Sequence, residues 1–104
     1  MRALWPGLAD ALDLPVEEGL LIERVTPGRP AERAGLHGGN RVAVAGMRKI
    51  LIGGDVIVAV DGQKVASQLD LNVFMNRKRP GDTLTVTVYR GRRTMDVRVT
   101  LGER

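Results

Sequence analysis

The chain has 104 residues, enough for one domain and too few for two. Its 43% hydrophobic and 27% charged residues give the balance of a soluble globular domain, and with only Trp5, Phe74 and Tyr89 aromatic, the core must be built from Leu, Ile, Val and Met. The absence of cysteine excludes disulfides, thiolate metal sites and a Cys nucleophile, and the formal charge of +4 is scattered in short groups with no interleaved aromatic, which reads as a solvated surface and not a nucleic-acid site.

Along the chain, Leu4, Leu8, Ala11 and Leu12 recur at helical spacing. Pro6 suits the helix start and Pro15 stops it. The Pro, Gly and Asp residues of Met1–Asp13 are unlike a signal peptide, and no stretch has the uncharged apolar run of a membrane helix. Leu20–Val25 predicts a strand that ends at the turn cluster Thr26-Pro27-Gly28. Pro30 to Gly35 predicts a short helix with Ala31, Ala34 and Leu36 as its apolar face. After a Gly-rich turn at His37–Asn40, the apolar runs Val42–Val44 and Ile50–Ile52 flank Ala45-Gly46 and predict a β-hairpin. Asp55–Val60 predicts a strand that turns at Asp61-Gly62 into Lys64-Val65. Ser67 with Asp70 three residues on is a capping-box variant opening a helix to about Lys78, which Pro80-Gly81 ends. Finally, Leu84, Val86 and Val88 alternate with threonines, and beyond Arg90-Gly91-Arg92 the residues Met95, Val97, Val99 and Leu101 alternate with polar ones. These are two half-buried antiparallel strands. The pattern has no internal repeat and belongs to the α+β class.

Ser67 is the only serine and His37 the only histidine. A cap and a Gly-rich loop account for them, so no catalytic residue is expected. With no cysteine, one histidine and no carboxylate cluster at calcium-loop spacing, no metal site is expected. Neither Gly38-Gly39 nor Gly53-Gly54 is followed by the Lys-Ser/Thr of a phosphate loop, and no cofactor is implied.

Three segments, Gly19–Val25 running on through Pro27–Leu36, Gly54–Val65, and Pro80–Gly91 continuing to Leu101, together resemble a PDZ domain of the HtrA/Deg trypsin-like serine protease type. The resemblance implies a small antiparallel β-sandwich or partly open barrel with two or three helices, and one domain over residues 1–104. It implies a peptide-binding module in which an extended segment adds to a sheet edge beside a helix. Expected partners are peptide or protein C-termini, and a serine-protease catalytic domain elsewhere in a parent chain of the periplasm or cell envelope. The groove helix is then Ser67–Lys78. In it, Leu71, Met75 and Lys78 share a stripe assigned to the sheet, while Asp70, Val73, Phe74 and Arg77 share one assigned to the groove. A competing reading makes Val73 and Phe74 core. Two rivals to the protease module are a PDZ module of another envelope protein and a docking domain that binds no peptide.

Two departures stand out. The family's carboxylate-binding loop reads aromatic or apolar, Leu, Gly, apolar, and no such tetrad precedes Leu4. The chain is therefore expected to start beyond that loop, or to make an atypical edge with Met1–Trp5. The stretch His37–Gly53 is longer than the usual link and is expected to be an inserted surface hairpin that the core does not require.

Overall fold

An apolar run that does not alternate marks a strand covered on both faces. The computed structural model, which describes residues 1–102 and only the backbone of Ala45, has two such strands at its centre, β2 (Leu20–Leu21) and β5 (Val56–Val60). They pair antiparallel, Leu20 with Ile57 and Leu21 with Val56. The sheet runs β1-β2-β5-β7-β8, with β1 (Arg2–Ala3) at one edge and β7 (Thr83–Arg90) and β8 (Arg93–Thr100) beyond β5. A further short strand, β6 (Gln63–Lys64), pairs with the end of β5.

The two faces of this sheet feed two cores. The first takes Leu20, Ile22, Ile57 and Val60 with Leu84, Val86, Val88, Val97 and Val99. The short helix α2 (Pro30–Arg33) and the longer α3 (Gln68–Asn76) close it, through Ala31, Leu71 and Phe74 among others. The second core takes Leu21 and Val56 from the opposite face, with Leu4 and with Leu8 of α1 (Pro6–Ala11). A register shift in β5 between Ile57 and Ala59 lets Ile57 and Val60 face the same core despite their odd spacing. The three predicted helices and all the predicted strands are present, and the sheet is open and not closed into a barrel.

The hairpin of β3 (Arg41–Ala45) and β4 (Arg48–Ile52) is a separate two-stranded sheet, with Val42 opposite Leu51 and Ala43 opposite Ile50. Alternate residues of a strand point to opposite faces. Val42 and Val44 are 64% and 70% exposed, whereas Ile50 is 1% exposed and sits in the second core. The expectation of a hairpin dispensable to the core therefore fails for its inner face.

Local chemistry fixes the ends of these elements. Asp61 and Gly62 have φ of +49° and +81°, as a two-residue turn with two left-handed positions requires, and they join Val60 to its partner Gln63. A Cβ at Gly54 would collide with the carbonyl of Ile22, so the close passage of the chain beside β2 demands glycine there. At the start of α3, Ser67 Oγ accepts the Asp70 N–H at 3.2 Å. Asp70 Oδ2 accepts the Ala66 N–H at 3.0 Å, one residue earlier than a capping-box Glu would reach.

Candidate functional site

Antiparallel pairing of β1 with β2 sets Arg2 opposite Leu21 and Ala3 opposite Leu20. Among the described residues, Glu23 to Thr26 have no strand opposite them. The Ile22 N–H donates to Asp55 at 2.9 Å, and the Glu23 carbonyl accepts the Gly39 N–H at 2.8 Å. Among the described residues, the main-chain groups of Arg24 and Val25 find no hydrogen-bond partner. The predicted strand Leu20–Val25 is thus paired as a strand only over Leu20–Leu21, and its second half is a free edge. A cleft of about 540 Å3 lies against this edge, walled on the other side by Gly38, Gly39 and Leu51. Unpaired N–H and C=O groups in extended backbone are a template for another strand.

Glu23 anchors the neighbourhood. Its Oε2 accepts the Leu51 N–H at 3.2 Å, and its Oε1 lies 3.3 Å from Arg2 Nε. The second contact is charge pairing without hydrogen-bond geometry, since Arg2 Nε has no hydrogen-bond partner among the described residues. One carboxylate thereby ties β1, the free edge and β4 together.

Of the residues assigned to the groove, Asp70 is half-buried with its carboxylate committed to the cap of α3. Phe74 is half-buried and packs on the first core beside Leu71, as the competing reading had it. Val73 is 42% exposed, and Arg77 is exposed at the C-cap. Leu69, which no sequence-level assignment included, is 71% exposed one turn before Val73. The pair forms an apolar ridge on the outer side of α3, and the spacing of four between two aliphatics was its signal. Of the stripe assigned to the sheet, Leu71 is buried and Met75 is 36% exposed. Lys78 pairs with Asp61 at 2.8 Å. Ser67 serves as the cap, and His37 is exposed, with its main-chain N–H donated to Asp55 at 2.9 Å.

Asp55 is the polar centre of the framework under the free edge. It is 1% exposed and accepts Arg90 Nε at 2.7 Å and Arg90 Nη2 at 2.6 Å. The same Nη2 donates to the Gly35 carbonyl at 2.8 Å, so β7 holds the end of α2 through this guanidinium. The hydrogen bond to Asp55 raises the pKa of Arg90 beyond its already high value. Asp61 behaves in the opposite sense. Its hydrogen bond from Lys78, and then that from the Thr85 N–H, hold its carboxyl below the usual carboxylate range.

The chain is similar to known proteins over most of its length. The chain is 32% identical over 94 residues to the chloroplastic Protease Do-like 8 of Arabidopsis thaliana, covering 90% of itself and 20% of that protein. It is 30% identical over 96 residues to a probable periplasmic serine endoprotease, DegP-like, of Hahella chejuensis, covering 92% of itself and 17% of the relative. It thus spans about a fifth of the length of these curated relatives. Among solved structures, the HtrA-type protease AlgW with decapeptide superposes with a TM-score of 0.71 at 27% identity, over 99% of this chain and 27% of that one. The PDZ domain family matches residues 11–101, and with the strand order, the helices and these relatives in agreement, the chain belongs to the PDZ domain family.

Proposed function

We propose that this domain binds extended polypeptide segments, C-terminal or unfolded, and serves an HtrA/Deg-type serine protease by presenting them to, or regulating, a catalytic domain. The free edge at Arg24–Val25 is the observation that carries this reading, because strand addition draws its affinity from such unpaired main-chain groups. The relative solved with a decapeptide supports it. In this proposal Leu69 and Val73 give an apolar wall on α3, Phe74 gives the floor, and Asp70 and Arg77 lie at the margins. The periplasmic and chloroplastic relatives support a cell-envelope or equivalent compartment.

The test is an amide-shift titration of an apolar-ended peptide into this chain and into its exposed double variant Leu69→Asp, Val73→Asp. Shifts should fall on Arg24–Thr26 and Val73, and the double variant should weaken them. Shifts that avoid Arg24–Thr26, or binding indifferent to the double variant, contradict the proposal. A second reading, a docking module, is favoured by the apolar outer face of the hairpin at Val42 and Val44. Absence of peptide-induced shifts, together with an oligomer in solution, would support it.

A further inference from the structure

The sequence scatters its arginines, but the fold brings three of them to one concavity. Arg29 and Arg33 of the α2 region face Arg79, which follows α3, across a cleft of about 450 Å3. Pro30, Met75 and Leu101 supply its apolar lining, with Met75 36% exposed. Among the described residues, no carboxylate lines it. Glu32 and Asp82, close in sequence to these arginines, are engaged with main chain, Glu32 accepting the Gly28 N–H at 2.7 Å and Asp82 the Arg79 N–H at 2.9 Å. The fourth cation of the cleft, Lys78, is already paired with Asp61. Among the described residues, none of the three arginines has a carboxylate within salt-bridge reach.

Local folding rules account for Arg33, a cation in the last turn of α2, but not for Arg29. Arg29 is the N-cap of α2, a position that favours Ser, Thr, Asp or Asn, and its side chain makes no cap hydrogen bond. A cation at a helix N-terminus opposes the helix dipole. Broken local rules without a gain inside the fold point to a gain outside it.

We infer that the cleft between α2 and the end of α3 is a second binding site, which takes an acidic stretch of polypeptide carrying an apolar side chain. A concavity with charges of one sign on low-dielectric walls concentrates its field and draws in the opposite charge. Guanidinium groups on both sides match carboxylates in bidentate geometry, and the apolar floor covers a side chain between them. Nucleic acid fits less well, because no aromatic lines the cleft to stack a base. The site is separate from the free edge at Arg24–Val25 and does not depend on a free C-terminus.

The test titrates a blocked peptide, acetylated and amidated, with alternating acidic residues and leucine into the whole chain, read by amide shifts. Its Asn/Gln analogue is the control. Shifts at Arg29, Arg33, Met75 and Leu101 are expected. The analogue should bind about five- to tenfold more weakly, as two part-exposed ion pairs imply, and added salt should narrow the difference. The variant Arg33→Glu, Arg79→Glu should lose the same factor while keeping the β7 and β8 shifts that report the fold. Equal binding of the analogue, an unaffected variant, or shifts at Arg24–Val25 in place of the cleft would overturn the site. Tighter binding of a single-stranded oligonucleotide than of the acidic peptide at the same residues would overturn the ligand.

Discussion

Ionised groups survive burial only when their hydrogen-bonding capacity is met, and Asp55 meets it with a bidentate guanidinium and the His37 N–H. Arg90→Ala leaves that carboxylate buried without its cation, so it should cost about 3–5 kcal/mol. Urea unfolding measures the loss, and a cost below about 1 kcal/mol would show that water reaches Asp55. Asp61 makes a prediction in pH. Its folded-state pKa is lowered, so its contribution is fully present above the unfolded-state value of about 3.9 and is lost as pH falls from there through the lower folded-state value. Asp61→Asn keeps a residue tolerant of positive φ and should flatten the fall of unfolding midpoint below about pH 4. An unchanged profile would mean that the contact with Lys78 does not persist in solution.

The two faces of the β3–β4 hairpin give the same argument at the scale of an element. Ile50→Ala empties a site in the second core and should cost about 2–4 kcal/mol, whereas Val42→Thr and Val44→Thr change exposed positions and should stay within about 0.5 kcal/mol. Chemical unfolding of the three variants measures this, and equal effects would mean that the hairpin does not dock by one face. The sequence made the hairpin legible through two apolar runs around Ala45-Gly46, but not which face was core. Val44 and Ile50 look alike as residues, and only the register decides that one is exposed and the other buried. The alternating strands β7 and β8 were readable because each has one wet face, and the runs at Leu20–Ile22 and Val56–Val58 because both faces are dry. The groove residues were harder. Asp70 supports two readings in sequence, cap and groove, and the hydrogen bond to Ala66 shows its carboxylate serving the cap. Phe74 and Leu69 point about 140° apart around the helix, a distinction that rests on the direction from which the sheet approaches α3.

For the whole molecule, the open edge and the cationic cleft are two features of a framework that is otherwise closed. The sheet is covered on one face by α2 and α3 and on part of the other by α1 and the hairpin. What stays open among the described residues is unpaired backbone at Arg24–Val25, an apolar ridge at Leu69 and Val73, and arginines without a carboxylate partner at the cleft. Such features suit a module whose work is recognition, and they place recognition of extended chain at the centre of the account. The most direct measurement uses an apolar-ended peptide with a spin label near its terminus and records paramagnetic broadening of this domain's amides. The account predicts broadening at Arg24–Thr26 and along Leu69–Val73, with β8 from Asp96 to Arg98 unaffected. Broadening centred on the outer face of the hairpin at Val42 and Val44, or none at saturating peptide, would contradict it.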